Sequence, residues 1–63
     1  MNRIEMLYTN KCITVKNTFT CKEIKSISVT GLEHGEISLC VTFINDDNTG
    51  ESNCFRVTSF ETY

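Results

Sequence analysis

The 63-residue chain has no proline, no tryptophan, no alanine and no glutamine. Alanine has the highest helix propensity, so its absence disfavours a helical protein. Residues that fit a pleated surface are abundant instead, with nine Thr, six Ile, four Val and four Phe. The composition therefore predicts an all-β fold. Because proline is absent, no edge strand has that protection against pairing with another chain.

The chain is also short and contains no long apolar run. A chain of 63 residues forms at most one domain, residues 1–63, and is too short for a doubly wound nucleotide-binding fold. No run of about 20 apolar residues is present, so we expect no transmembrane segment. The charged residues on both sides of Ile4 do not resemble the apolar region of a signal peptide. These features predict a cytoplasmic protein.

Residue patterns for catalysis or cofactor binding are scarce. The three glycines, at positions 31, 35 and 50, are too sparse for a phosphate-binding loop. His34 is the only histidine, and no glycine-rich oxyanion segment lies near it to support a Cys–His nucleophile. A domain of this size also has little volume for a substrate pocket. We predict a protein that is not an enzyme and binds no cofactor.

The four cysteines are too far apart for a zinc knuckle. Cys12, Cys21, Cys40 and Cys54 are separated by 9, 19 and 14 positions, whereas paired zinc ligands lie about two to four residues apart. Four cysteines allow three disulfide connectivities. Because cytosolic thiols are kept reduced, four buried or half-buried free cysteines are the favoured expectation, and a disulfide pair is the alternative.

Alternation of apolar and polar residues predicts about five antiparallel strands. The clearest alternation places Ile37, Leu39, Val41 and Phe43 on one face. Phe60 is out of phase with Phe55, which predicts either a bulge near residues 58–59 or a change of face. The expected strands cover residues 4–9, 12–17, 22–30, 36–44 and 53–62.

Residues 20–25 leave an alternative open. Thr20-Cys21-Lys22-Glu23 fits a helix capping box, so a single helical turn near residues 20–25 competes with a strand. Gly31, Gly35 and Gly50 are predicted to occupy left-handed turn positions. The strand number is similar to that of SH3-like and OB-like barrels, and an open sheet covered by a short helix or a second copy is the alternative.

Charge is distributed unevenly along the chain, whose net charge is −2. Asp46, Asp47 and Glu51 lie in a polar loop, and we predict that they form an acidic finger that docks on a basic partner. Aligned to an EF-hand calcium loop, this segment has the wrong residues at both ends. Phe60 and Tyr63 are predicted, with Tyr8, to anchor a protein interface.

The lysines support an alternative function. Lys11, Lys16, Lys22 and Lys25 could form a patch for single-stranded nucleic acid, although no RNA-recognition signature accompanies them.

The preferred prediction is a non-catalytic protein-binding module. Its small size and a residue composition typical of an AT-rich gene, with no Ala or Pro and many Asn, Ile, Lys and Thr, suggest a phage or mobile-element accessory protein that binds and inhibits a host protein. A homodimer through an edge strand is expected, and a structural subunit of a larger assembly is a further alternative.

Overall fold

A computed structural model describes all residues, Met1–Tyr63. It confirms the all-β prediction, with six antiparallel strands and one 3₁₀ turn. No helix is long and apolar enough to cross a membrane. The strands are β1 (Arg3–Asn10), β2 (Ile13–Thr20), β3 (Glu23–Gly31), β4 (Ile37–Ile44), β5 (Gly50–Val57) and β6 (Ser59–Thr62), and the 3₁₀ turn is Glu33–Gly35.

The strands form two three-stranded sheets, ordered β2-β1-β6 (sheet A) and β3-β4-β5 (sheet B). Two continuous segments run from one sheet to the other, because β2 leads into β3 and β5 leads into β6 across only one or two residues. Strands that change sheets at a bend are one way to join packed sheets. The change of sheet at Thr58 explains the phase of Phe60, since Phe55 and Phe60 both pack against the core.

The bend between β2 and β3 contains no helical turn, so the helical alternative for residues 20–25 is wrong. Cys21 N–H donates to Asn2 O at 3.0 Å, and Lys22 N–H donates to Ile44 O at 3.0 Å. The backbone of the bend therefore bonds to both sheets instead of to itself. A register shift between Ile24 and Ser26 then lets Ile24 and Ile27, three positions apart, both reach the core.

The core lies between the two sheets. β4 supplies Leu39, Val41 and Phe43, all at most 2% exposed, as the alternation predicts. Sheet A supplies Ile4 and Met6 from β1. The ring of Phe19 crosses to sheet B, edge-on to Phe43 at 4.7 Å and to Phe55 at 5.7 Å between centroids.

The turns differ from the glycine-based prediction at two of three positions. Gly35 does adopt positive φ, at 76°. Gly31 and Gly50 lie in strands and lack positive φ, while His34, Asn48 and Lys11 take the left-handed conformation. Asn48 is suited to this because its short polar side chain lowers the cost. The β1–β2 turn is Lys11-Cys12.

Candidate protein-binding surface

The β1–β2 hairpin extends beyond the hydrophobic core. Its near end contributes buried Ile4 and Met6, but Val15 is 46% exposed and Ile13 is 68% exposed. The whole protein is elongated, with extents of 38 × 19 × 15 Å. Burying an Ile or Val side chain is worth about 1.5–3 kcal/mol. These two neighbouring aliphatic side chains therefore offer stabilisation to a molecule that covers them.

A groove of about 290 Å³ separates this hairpin from β5. Most of its surface residues are hydrophobic, and Arg56 is the only charged one. A concave apolar surface with one fixed charge favours a ligand that is mainly apolar and carries an acidic group. The residues that define this hairpin groove are Met6, Tyr8, Asn17, Cys54, Phe55, Arg56 and Val57.

β5 presents an unpaired backbone edge to the groove. Asn45 N–H donates to Thr49 O at 2.9 Å, and the alternation of an antiparallel ladder then directs the odd-numbered residues of β5 toward β4. The backbone groups of Ser52, Cys54 and Arg56 consequently point away from β4. No ladder joins β5 to β1, so the outward backbone groups of this edge are not paired with another strand, which is the property that strand addition by a peptide requires.

Arg56 is only weakly engaged within the protein. Its side chain is 67% exposed, and its Nε lies 3.8 Å from Glu36 Oε2. That distance exceeds a hydrogen bond, and Glu36 Oε2 has no hydrogen-bond partner. The Glu36 side chain is only 22% exposed, so the pair is half-buried, but it has no hydrogen bond to hold the guanidinium in place. The guanidinium is therefore available to a carboxylate from another molecule.

A second cavity, of about 320 Å³, lies on the outer face of sheet A. Lys16 Nζ is 3.5 Å from Glu5 Oε1 there, and Glu61 and Ser59 add further polar groups. Only Leu7 and Phe60 provide hydrophobic surface. This cavity is slightly larger than the hairpin groove, but three of its six lining residues are charged, and it has no unpaired β5 edge beside it.

The acidic loop holds its own shape by hydrogen bonds. Asp47 Oδ1 accepts from Thr49 N–H at 3.1 Å and from Thr49 Oγ1 at 2.6 Å. These donors hold the pKa of Asp47 below its ordinary value of 3.8. Lys22 Nζ donates to Asn48 Oδ1, which places a lysine against the same loop. No group of three potential metal ligands exists in the protein.

The predicted anchor residues lie on β6 and just beyond it. Phe60 is half-buried against the core and pairs with Met6 in register. Tyr63 Oη donates to Glu61 Oε2 at 2.7 Å, and the Arg3 guanidinium carbon sits 4.4 Å from the Tyr63 ring centre. The hydrogen bond to Glu61 raises the pKa of Tyr63. That Phe60 and Tyr63 contact a partner remains a prediction.

The structure distributes the four lysines over separate elements. Lys11 is at the hairpin turn and Lys16 is on β2 beside Glu5. Lys22 contacts Asn48, whereas Lys25 pairs with Glu23 at 2.9 Å. Two of the four are thus within 4 Å of a carboxylate.

The cysteine prediction is wrong in two respects. Cys40 and Cys54 form a disulfide with Cα atoms 4.0 Å apart, and free Cys12 is exposed rather than buried. Cys40 and Cys54 are register partners in β4 and β5, at a pair without backbone hydrogen bonds between them, where Cα atoms approach most closely. Free Cys21 is half-buried, and burial raises its pKa.

His34 is exposed on the 3₁₀ turn, where its Nε2 lies 3.9 Å from Glu33 Oε2. This is the only ion pair His34 makes, and Glu33 is itself exposed. The arrangement contains an imidazole and a carboxylate but no nucleophile bonded to either, so it does not form a catalytic triad.

Comparison with protein-family models, curated proteins and solved structures found no match.

The hairpin groove and the β5 edge were not predicted from the sequence. The groove brings together residues 6, 8, 17 and 54–57, which come from three strands in the two sheets. One signal was present: Ile13 and Val15 alternate cleanly on a strand with only polar residues between them. That pattern marked the apolar face correctly but could not show that the opposing sheet ends before reaching it.

Proposed function

We propose that this protein is a non-catalytic protein-binding module that recognises an extended segment of a partner chain in the hairpin groove. The observation that carries the proposal is the unpaired β5 edge beside an apolar groove. Backbone hydrogen bonds to an edge strand supply affinity, and pockets for alternate side chains supply specificity. The preferred segment has apolar residues for the groove and an acidic residue for Arg56.

The role that we propose for this binding is inhibition of the partner, in an accessory protein of a phage or mobile element. The small size of the protein and a residue composition typical of an AT-rich gene support that origin. A cytoplasmic location is part of this proposal. Because disulfides are rare in the reducing cytosol, the Cys40–Cys54 disulfide counts against the cytoplasmic part of the proposal but not against binding in the hairpin groove.

Capture of a partner tests the proposal. The tagged protein is incubated with a bacterial lysate, with and without nuclease, and retained proteins are identified by mass spectrometry. We expect one protein retained near one-to-one in both conditions. Loss of the bound material after nuclease treatment would instead support the alternative of nucleic-acid binding.

Charge reversal at Arg56 then tests the site. We expect Arg56→Glu to weaken binding of the captured partner at least about 10-fold in titration calorimetry, since it places like charges together in the complex. Lys25→Glu, with the same charge change on β3, is the matched control and should leave affinity unchanged. Equal affinity of wild type and Arg56→Glu would show that the partner binds outside the hairpin groove.

The acidic finger is a separate element of the proposal. Asp46→Lys combined with Glu51→Lys reverses two charges but keeps Asp47, which holds the loop by its bonds to Thr49. If the finger contacts a basic surface, the double variant should bind more weakly, mainly because it associates more slowly. Added salt should reduce the difference in association rate between the variant and the wild type. Unchanged association kinetics would remove Asp46 and Glu51 from the interface.

A further inference from the structure

A second unpaired edge, on β2, has the properties of a self-association surface. β2 is at the edge of sheet A, and seven of its eight residues are exposed. Leu7 O accepts from Thr58 N–H, and Arg3 N–H donates to Tyr63 O, so odd-numbered residues of β1 bond toward β6. Even-numbered residues of β1 therefore bond toward β2.

The register then identifies the free groups on β2. Ile4, Met6, Tyr8 and Asn10 face Phe19, Asn17, Val15 and Ile13, so these odd-numbered β2 residues bond to β1. The backbone N–H and C=O groups that point outward belong to Thr14, Lys16, Thr18 and Thr20.

Few antiparallel registers are available when this edge meets its own copy. Hydrogen-bonded pairs must join even-numbered residues, so a two-fold axis can lie at residue 16, 17 or 18. An axis at Lys16 places two lysines directly opposite each other, which is destabilising. An axis at Thr18 pairs Thr14 with Lys22, which lies in the bend beyond β2. Only an axis at Asn17 keeps all four outward residues paired within β2.

This register also matches the exposed apolar residues with complementary ones. Val15 lies opposite Phe19 of the second copy, and Ile13 lies beside the bend that begins at Cys21 of the second copy. Phe19 and Cys21 are half-buried residues that pack at the edge of the core. The exposed end of each hairpin is thereby placed beside the core of the other copy.

The charged residues of the two paired β2 strands are compatible with this register. On the opposite face, Thr14 meets Thr20 and Lys16 meets Thr18. The two Lys16 side chains become diagonal neighbours, but each already lies 3.5 Å from its own Glu5. No like charges stand directly opposite each other.

We propose that two copies of this chain form a two-fold dimer by antiparallel pairing of their β2 strands, centred on Asn17. The result is one six-stranded sheet, ordered β6-β1-β2 and then β2-β1-β6 of the second copy. Asn17 also lines the hairpin groove, but the β5 edge and Arg56 take no part in this pairing, so dimer formation and partner binding can be tested separately.

Complementary charges at Asn17 test both the dimer and its register. Asn17 is exposed in the single chain, so Asn17→Asp and Asn17→Lys should both fold, as circular dichroism will check. In the dimer each variant places like charges directly opposite across the axis. We expect each to raise the dimer dissociation constant at least about 10-fold in sedimentation equilibrium. An equimolar mixture should form a heterodimer at least as stable as the wild-type dimer.

Two controls separate this result from other effects. Asn53→Asp and Asn53→Lys make the same changes at an exposed asparagine on β5 and should leave the dimer intact. Arg56→Glu should also leave it intact, even if it abolishes partner binding.

Hydrogen exchange of the wild-type protein provides a test without substitutions. The amides of Lys16 and Thr18 should be protected at high protein concentration and lose protection on dilution. A wild-type protein that remains monomeric up to about 1 mM would overturn the proposal. So would a dimer that neither Asn17 variant weakens, a mixture that does not recover association, or Lys16 and Thr18 amides whose exchange ignores concentration.

Discussion

A single carboxylate organises the loop between β4 and β5. Asp47 accepts two hydrogen bonds from Thr49, and Asn48 takes the left-handed conformation, with φ 68°. A side chain that bonds the backbone two residues later mimics a turn and stabilises it locally. The tight loop is therefore built by Asp47, Asn48 and Thr49, without a left-handed glycine.

We predict that Thr49→Ala raises the pKa of Asp47 toward its ordinary value of 3.8. The hydroxyl donor favours the ionised carboxylate, and its removal leaves only the backbone donor. Because the folded-state pKa is lowered, the contact stabilises the loop above about pH 4 and is lost as pH falls through that pKa. NMR titration of the Asp47 carboxyl measures the shift. Thr30→Ala, an exposed threonine on β3, is the control, and identical titrations in wild type and Thr49→Ala would contradict the prediction.

At the residue scale, the sequence supports predictions of burial better than predictions of turns. Leu39, Val41 and Phe43 are buried as expected, because a buried face requires apolar residues at every second position. Left-handed residues at Lys11, His34 and Asn48 were not predicted. The left-handed conformation is energetically unfavourable for a residue other than glycine. It becomes necessary only through the structure that surrounds each of these residues, which local sequence does not reveal.

At the element scale, the β4–β5 hairpin combines the strand that fills the core with a disulfide on its outer face. Cys40 is next to core residues Leu39 and Val41 in β4, and Cys54 lies opposite in β5. This pairing depends on a tight turn over residues 45–49, whereas the sequence analysis placed a loop over residues 45–52. The shorter turn determines which residues face each other, so the disulfide could not be deduced from cysteine spacing.

We predict that reduction of this disulfide lowers the free energy of unfolding by about 3 kcal/mol, the value expected for a closed loop of about 15 residues. The separation of Cys40 and Cys54 is 14 positions. Urea unfolding with and without a phosphine reductant measures the change, and Cys40→Ser combined with Cys54→Ser should reproduce it. Cys12→Ser, which changes an exposed free thiol, should have no effect. Coincident unfolding curves for reduced and oxidised protein would show that the link does not contribute.

At the scale of the whole molecule, two bent segments join the sheets around a core of seven buried residues. The sequence predicted the fold class and most strand positions, because alternation is local. It did not predict the division into two sheets, since residues 53–62 read as one continuous strand. The break at Thr58 becomes necessary only when Thr58 N–H bonds to Leu7 O, 51 positions away.

A core this small should tolerate little loss of volume. Leu39 is 0% exposed and belongs to the central strand of sheet B. We predict that Leu39→Ala lowers the free energy of unfolding by about 2–5 kcal/mol, through lost burial and the cavity it leaves. Small domains have total stabilities near the lower end of about 5–15 kcal/mol, so a loss at the upper end of the expected range would leave a large fraction of the protein unfolded at 37 °C.

Val29→Ala is the matched control for Leu39→Ala, because Val29 is also an aliphatic β-strand residue of sheet B but is 50% exposed. It should cost well under half as much, since much of its side chain is already in water. Thermal and urea unfolding of both variants, followed by circular dichroism with the disulfide oxidised, compares them directly. If the two variants lose equal stability, the core at Leu39 is more adaptable than its burial indicates; if Leu39→Ala alone unfolds, the seven buried residues act as one cooperative unit between the two sheets.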